Sequence, residues 1–404
     1  MSEPRAVSLN GEFSRGDSVT EIIAQDGAAL SSELRSMREV LFPPTSQKAL
    51  RSFSSVEVAK LLGVADAYVR KLSLSGKGPQ PTIVGGGRRS YTLDQVNELR
   101  ALLEEGSKGK RYLPRRSGSE HCQVLAVVNF KGGSGKTTTA AHLAQYLALR
   151  GYRVLAVDLD PQASLTALHG FQPEYDILPN QTIYGSVRYD TERRPLSEIV
   201  RRTYFPGLDL VPGNLELMEF EHDTPRALNE LDAEPFFGRV ASALGEVAGS
   251  YDVMVLDCPP QLGFLTLGAL CAATGLLITV HPQMLDVMSM CQFLQMASDM
   301  LRVVQDAGGS LDYDFIRYVV TRFEPADAPQ TQMVAFMRSL FRDRVLNNAM
   351  LKSTAVSDAG LSKQTLYEVG RENFSRHTYD RAIEALDAVN GEIEGLIGRS
   401  WGRG

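Results

Sequence analysis

The chain contains 404 residues, of which 43% are hydrophobic and 22% are charged, and its formal net charge is −6. This composition predicts a water-soluble protein with two or three domains. The four cysteines show no C-x-x-C pair and no zinc-like spacing with the six histidines, which argues against a disulfide framework and against a metal cluster. The N-terminal sequence lacks the apolar stretch of a secretory signal, so we expect a cytoplasmic protein.

Residues 1–47 are acidic, and their last part places Leu34, Met37 and Leu41 at helical spacing. This pattern predicts a helical segment that provides a dimer contact or simply packs on a core. Residues 48–116, in contrast, contain 14 Lys and Arg against 6 Asp and Glu. Because Lys and Arg supply most of the non-specific affinity for nucleic acids, this basic region is the first candidate for DNA contacts.

Residues 48–105 have the element order of a winged helix-turn-helix, a small α+β domain. Ser54 and Glu57 stand at capping-box spacing before a first helix that ends at Gly63. We expect this helix to bury Val56, Ala59 and Leu62.

A second helix, a glycine-rich wing and a third helix capped by Thr92 and Gln95 complete the predicted domain. The order resembles the winged helix-turn-helix of MerR-type regulators. The predicted DNA-binding residues are Tyr68, Arg70 and Lys71 on the second helix and Arg88 and Arg89 on the wing. The alternative is a solvated three-helix module that is basic without contacting DNA. Residues 106–120, rich in Gly, Ser, Pro and basic residues, predict a linker.

The stretch VVNFKGGSGKTTTA, residues 127–140, matches the phosphate-binding loop G-x-x-x-x-G-K-[ST], except that Phe130 stands in place of the first glycine. A buried strand precedes the stretch, and a helix and a second strand follow it, so it lies in the βαβ unit that the motif requires. The glycines let backbone N–H groups surround phosphates, Lys136 neutralises them and Thr137 binds Mg²⁺. The predicted ATP-binding residues of the loop are Lys131, Gly132, Gly133, Ser134, Gly135, Lys136, Thr137 and Thr138.

Lys131 stands too early in the loop to repeat the task of Lys136. A second lysine is useful if it reaches a phosphate held by another subunit, as an arginine finger does in trans. The alternative is a solvated loop lysine.

Residues 262–280 carry no charged side chain and are long enough to resemble a membrane span. The sequence Ala-Ala-Thr-Gly at 272–275 interrupts the stretch, so we predict a buried helix followed by a strand. In the C-terminal region we expect a strand that ends near Arg322 and another within residues 343–369. We expect the last helix, residues 378–397, to pack on the core.

Three sequence stretches together resemble the ParA/MinD class of P-loop ATPases. KGGSGKTTTA resembles the deviant Walker A motif, VLAVDLDPQASLT at 154–166 a second signature of ParA proteins, and YDVMVLDCPPQLG at 251–263 their Walker B region. The likeness covers most of residues 121–404. With the preceding helix-turn-helix, the chain resembles the long ParA subgroup of low-copy plasmids, including the RepA proteins of RepABC cassettes. It departs from the pattern at Ala163 and Ser164, and residues 172–206 form an unmatched insert.

The resemblance implies a three-layer α/β sandwich with a mostly parallel sheet and a slow Mg²⁺-dependent ATPase. It implies that Asp257 holds Mg²⁺ partly through water, that Asp160 positions the attacking water with Asp158 in support, and that Arg322 approaches the adenine. Lys136 and Lys131 complete the implied catalytic set. Lys352 and Lys363 would belong to a non-specific DNA surface.

The same resemblance implies the partners. An ATP-bound homodimer would coat nucleoid DNA, a ParB-type centromere-binding protein would stimulate hydrolysis, and the ADP form would bind an operator and repress its own operon. A nucleotide-sensing repressor without a transport role would keep the same residues and stays open. A MinD-like membrane ATPase would need a basic C-terminal amphipathic helix, which is missing, and a nitrogenase-reductase-like electron carrier would need paired cluster cysteines.

Overall fold

The computed structural model describes residues 18–41, 48–107, 109–228 and 235–403. Residues 1–48 and 49–404 form separate units. The first unit contributes one helix, α1 (Val19–Leu41), which begins well before the stretch in which the sequence predicts a helix. The predicted apolar face of Leu34, Met37 and Leu41 lies outside the described side chains.

The second unit begins with a small winged domain whose helices and strands follow the predicted order, except that an additional strand, β1, precedes the first helix. Its three-stranded antiparallel sheet has the order β1-β3-β2. Both predicted capping boxes are present, one at Ser54 and Glu57 and the other at Thr92 and Gln95. The elements are β1 (Phe53–Ser54), α2 (Ser55–Leu62), α3 (Asp66–Leu74), β2 (Thr82–Val84), β3 (Arg88–Tyr91) and α4 (Leu93–Glu105).

The buried face of α2 differs from the prediction at one position. Val56 is 62% exposed, whereas Val58 is buried together with Ala59 and Leu62. Val58 and Leu62 are four residues apart and therefore share one face of the helix, and Val56 lies on another face. The prediction for Val56 was wrong.

The rest of the unit is built on a seven-stranded sheet with the order β10-β9-β4-β8-β5-β7-β6. Only β6 runs antiparallel to its neighbour. Alternate residues of the central strands face opposite sides. Leu125 and Val127 belong to one buried apolar cluster, and Val124 and Ala126 belong to the other. This is the predicted three-layer arrangement, with a helical layer on each face. The strands are β4 (Gln123–Val128), β5 (Val154–Asp158), β6 (Arg201–Arg202), β7 (Leu208–Val211), β8 (Val253–Asp257), β9 (Gly275–Val280) and β10 (Phe315–Val320).

Eleven helices accompany these strands in the part of the chain that the structure describes. The insert at 172–206 supplies two one-turn helices and the edge strand β6. The helices are α5 (Lys136–Arg150), α6 (Ser164–Leu168), α7 (Tyr184–Val187), α8 (Leu196–Ile199), α9 (Met218–Ala227), α10 (Phe236–Val247), α11 (Phe264–Ala272), α12 (Met284–Asp306), α13 (Ala328–Phe341), α14 (Thr354–Leu361) and α15 (Arg376–Ser400).

The charge-free segment forms α11 and β9, as predicted. Within the described ranges, every helix is too short or too polar to cross a membrane. The last helix, α15, buries Leu386, Val389 and Ile393, which confirms that it packs on the core.

The strand predicted within residues 343–369 does not form. Val345 and Leu351 each make an isolated bridge, to Tyr318 and Phe323 respectively. Between them, the backbone N–H of Asn347 donates to the Glu392 carboxylate of α15 at 2.9 Å, so α15 takes a donor that a strand ladder needs. The helix α14 follows.

Replacing Ser54 with Ala should lower the free energy of unfolding by about 1 kcal/mol, because the hydroxyl accepts the Glu57 N–H at the start of α2. Urea unfolding followed by far-ultraviolet circular dichroism measures this loss. Ser52→Ala, two residues earlier and outside the cap, is the control and should change stability by less than about 0.5 kcal/mol. Equal effects of the two substitutions would contradict the capping role.

Candidate functional site

The turn between β4 and α5 has a backbone that glycine alone adopts readily. Gly133 has φ 77° and Gly135, the residue before α5, has φ 89°. A Cβ atom at Gly135 would lie 3.4 Å from the Thr321 side chain. The turn is therefore held tightly between its own helix and the end of β10, with the N-terminus of α5 directed at the space beside it.

Side chains from the neighbouring strands brace this turn. The Thr321 hydroxyl donates to the carbonyl oxygen of Ser134 at 2.7 Å, and the Ser134 hydroxyl lies 3.0 Å from that of Thr279. The Asn129 side-chain amide donates to the Thr279 carbonyl. Ser134 is buried against the strands, so this predicted ATP-binding residue supports the turn and does not line the pocket beside it.

A pocket of about 570 Å³ opens beside the turn. Most of the predicted ATP-binding residues line it, together with Asp160 at its edge. Sequence reasoning missed part of the wall, which comes from the segment wrongly predicted as a strand and from α14. The missed lining residues of these two segments are Met350, Leu351, Ser353, Val356, Ser357 and Gly360.

Lys136 is the cation at the floor of this pocket. Its ammonium donates to the Lys131 carbonyl oxygen at 3.2 Å, and its side chain is largely buried. Burial lowers the pKa of Lys136, while Asp257 and Asp160 favour its charged form. The lysine therefore lies between two carboxylates and the phosphate-binding turn.

Asp257 at the end of β8 is fully buried, and its carboxylate oxygens accept no hydrogen bond of good geometry from the described residues. Adjacent parallel strands place Asp158 of β5 directly opposite it. Burial, and then the charge of Asp158, raise the pKa of Asp257 well above its ordinary value, although the nearby Thr137 hydroxyl acts to lower this pKa. A buried carboxylate without a well-placed donor is suited to a hard cation, which prefers oxygen ligands.

The other two carboxylates have different partners. Asp158 is buried and accepts hydrogen bonds from the Thr166 hydroxyl at 2.6 Å and from the Asp160 N–H at 3.2 Å. Burial raises the pKa of Asp158 to about 7. Asp160 is only half-buried and accepts the N–H of Gln162 at 2.9 Å. Asp158 thus holds the loop in place, and Asp160 is the carboxylate that reaches the pocket.

Lys131 lies outside the pocket. Its ammonium contacts the carboxylate of Asp286, on the first turn of α12, at 2.8 Å. Asp286 is nearly buried, and sequence reasoning missed it. A signal was available, because Asp286 is the first acidic residue after the buried strand β9. Exposed apolar side chains surround the pair, namely Phe130, Met284, Leu285 and Met288.

Arg322 and the two predicted DNA-binding lysines lie on the pocket side of the sheet. Arg322 is exposed, has φ 52° and donates to the Gly133 carbonyl at 3.3 Å. Lys352 lines the pocket and pairs with Glu324 at 2.9 Å. Lys363, also at positive φ, follows α14. The structure therefore brings Arg322 and Lys352 to the nucleotide-sized pocket.

The predicted DNA-binding residues of the winged domain form a separate surface. Tyr68, Arg70 and Lys71 are exposed on α3, and Arg70 pairs with Asp66 at 2.6 Å. On β3, Arg88 is exposed and Arg89 is half-buried.

Comparisons with known proteins support one family. A family model described as an AAA domain matches residues 122–306. A protein of Rhizobium rhizogenes named "Putative replication protein A" is 55% identical over 388 residues, which is 95% of this chain and 96% of that protein. Protein SopA of Escherichia coli K12 is 30% identical over 368 residues, or 89% of this chain and 92% of SopA. The chain belongs to the ParA-type family of P-loop ATPases.

The fold of this ParA-type chain matches a solved structure over nearly its whole length. A structure described as "Partition Protein" aligns with a TM-score of 0.66 over 94% of this chain and 99% of that one. The identity is 19%, so the match shows the shared fold alone.

Replacing Asp257 with Asn should raise the free energy of unfolding of the nucleotide-free protein at pH 8. The raised pKa means that the folded state holds a proton the unfolded state has released, so stability falls as pH rises above the ordinary carboxyl range towards the raised value. The amide removes this loss and should flatten the pH dependence of unfolding. Urea titrations from pH 5 to pH 8 measure it.

Asp160→Asn changes a half-buried carboxylate of the same pocket and serves as the control. It should leave stability within about 0.5 kcal/mol of wild type. A destabilised Asp257→Asn protein at pH 8 would contradict the assignment of an unpaired buried carboxylate.

Proposed function

We propose that this ParA-type chain binds Mg²⁺ and ATP in the pocket beside α5, dimerises on ATP, hydrolyses it slowly and uses the cycle to segregate plasmid DNA. The observation that carries the proposal is that the two lysines of the turn lie on different sides of the pocket wall. Lys136 lies inside the pocket, whereas Lys131 lies outside it and pairs with Asp286. One lysine is therefore placed for the chain's own nucleotide, and the other is left for a neighbouring subunit.

The residues of the pocket have the chemistry that a magnesium nucleotide requires. The Thr137 hydroxyl and the unpaired Asp257 carboxylate would hold Mg²⁺, in part through water. The cation would neutralise charge on the phosphate oxygens. Lys136 and the N–H groups of the turn would bind the phosphates, and the half-exposed Asp160 would orient water. Arg322, at the rim, would lie near the adenine and the dimer surface.

The surface around Lys131 supports self-association. Exposed Phe130, Met284, Leu285 and Met288 provide apolar area that a second subunit would cover. In the single chain, Asp286 holds Lys131. Dimerisation would exchange this carboxylate for a phosphate of the partner, so that nucleotide occupancy controls assembly.

DNA contacts would come from two places. The exposed side chains of α3 and the wing would bind an operator in the ADP form and repress the chain's own operon. Basic residues including Lys352 and Lys363 would contribute to non-specific binding of nucleoid DNA in the ATP dimer. A ParB-type centromere-binding protein would stimulate hydrolysis, and the protein would act in the cytoplasm on the nucleoid.

Gel shifts and light scattering with ADP, ATP or no nucleotide, each on operator-region DNA and on random DNA, test the proposal. We expect ATP to produce a dimer that binds both DNAs alike, and ADP to favour the operator. Plasmid loss in a Lys131→Ala strain that still represses its operon would separate partition from a purely regulatory role. Unchanged plasmid inheritance in that strain would count against partition.

Lys131→Ala should retain ATP affinity within about twofold but fail to dimerise, because the trans cation is lost. Asp286→Asn should have the opposite effect and strengthen ATP-dependent dimerisation up to about fivefold, since a partly exposed ion pair contributes at most roughly 1 kcal/mol. Light scattering across protein concentrations measures both. The assignment fails if Lys131→Ala dimerises normally with ATP.

Lys71→Ala should weaken binding to operator and random DNA in parallel and reduce the salt slope of binding by about one ion, as expected of a phosphate contact. Fluorescence anisotropy at several salt concentrations measures the slope. An unchanged slope with unchanged affinity would remove Lys71 from the DNA surface.

A further inference from the structure

The largest of the fully buried side chains in the described ranges is that of a cation. Arg100 on α4 is 1% exposed and lies where the winged domain meets α5. Its guanidinium donates to the carbonyl oxygen of Leu149 and, at 2.6 Å, to the side-chain oxygen of Asn97. No carboxylate pairs with Arg100 among the residues that the structure describes. The Leu149 carbonyl of α5 therefore accepts from the guanidinium directly, and the more distant charge of Glu394 favours its charged form.

Arg100 makes two kinds of contact with the end of α5, a hydrogen bond and close packing. Leu149 belongs to the last turn of α5, where helix carbonyls lack intrahelical donors and carry the negative end of the helix dipole. Gly151 ends the helix at φ 103°, and a Cβ atom there would lie 2.9 Å from Cδ of Arg100. The arginine thus fits closely against the terminus, and a shift of the terminus would leave a buried cation without its acceptor.

The winged domain packs on α5 and also forms an ion pair with α15, between Lys60 of α2 and Asp387 at 3.5 Å. Its apolar core, including Phe53 and Leu99, belongs to the same buried cluster as Leu147 of α5. The expected linker is also fixed. Arg116 donates to the Tyr251 carbonyl at 2.9 Å.

The C-terminal residues contact the expected linker, residues 106–120, and the residue that follows it. Trp401 donates to the His121 carbonyl at 2.9 Å, and Arg403 donates to the Glu120 carboxylate and the Pro114 carbonyl, both at 2.7 Å. The segment that joins the winged domain to β4 is therefore held at several points, so it does not act as a flexible linker.

The other end of α5 is the phosphate site. Lys136 and Thr137 are its first residues, and the helix has 15 residues. This length spans about 22 Å, and Coulomb interactions weaken with distance. A direct charge effect of the phosphates on Arg100 is therefore small, whereas a packed helix transmits a displacement along its whole length.

We propose that α5 couples nucleotide occupancy to operator binding, with Arg100 as the positioning residue that makes the winged domain follow the C-terminus of the helix. Phosphate binding at Lys136 reorients α5, and α3 of the winged domain changes its position as a result. This inference rests on the proposed function, because it requires nucleotide at the turn and DNA at α3.

The test uses the full-length chain with three variants. Arg100→Met keeps the length of the side chain and removes its donors, Arg100→Lys retains one cationic donor group, and Glu98→Gln on the exposed face of α4 is the control. The measurement is the affinity for DNA from upstream of the chain's own gene, with ADP and with a non-hydrolysable ATP analogue. The affinity for the analogue itself is measured in parallel.

We expect Arg100→Met to bring the ratio of the two operator affinities to within twofold of one, with analogue affinity within twofold of wild type. Arg100→Lys should recover part of the ratio, and Glu98→Gln should keep all of it. A folded Arg100→Met protein that keeps the wild-type ratio overturns the inference.

If Arg100→Met does not fold, hydrogen exchange on the wild-type chain tests the same coupling without a substitution. Adding the analogue should change amide protection in residues 149–151 and 93–105, and unchanged protection there overturns the inference. The proposed function fails separately, if the wild-type chain binds no nucleotide or if its operator affinity is the same with both nucleotides.

Discussion

The carboxyl ends of β4, β5 and β8 meet at one edge of the sheet, and the candidate site depends on this convergence. Parallel pairing in register places Asp158 opposite Asp257, and the turn after β4 places Lys136 between Asp257 and Asp160. Burial separates the three carboxylates into different roles. One stabilises a loop, one is left without a well-placed donor, and one reaches the pocket. The charges are thus arranged by the sheet before any ligand contributes.

Sequence patterns predicted correctly those features of the fold that depend on interactions between residues close in the chain. Capping boxes, the glycine-rich turn and the charge-free segment 262–280 each carry their structure within a few residues, and all three predictions were confirmed. Residues 343–369 were misread because donors that a strand would use are taken by Glu392, far along the chain. Asp286 and Arg100 could not be assigned partners for the same reason. Their contacts, Lys131 and Leu149, are 155 and 49 residues away.

The two lysines of the turn show how position, rather than residue type, separates functions. Lys136 is buried among carboxylates and backbone groups, so its surroundings are fixed. Lys131 is partly exposed, and its one carboxylate partner is on an adjacent helix, so the ion pair is weak enough to be exchanged. A pair of this kind keeps a long cationic side chain ordered while leaving it available. The family resemblance identified this lysine, and the structure identifies what holds it in the single chain.

The unpaired carboxylate of Asp257 also bears on how long the protein lasts. An empty site of this kind lowers the free energy of unfolding, so a larger share of the nucleotide-free molecules is open at any moment. Proteases attack open molecules, and a bound cation and its ligand would shift the population towards the closed fold.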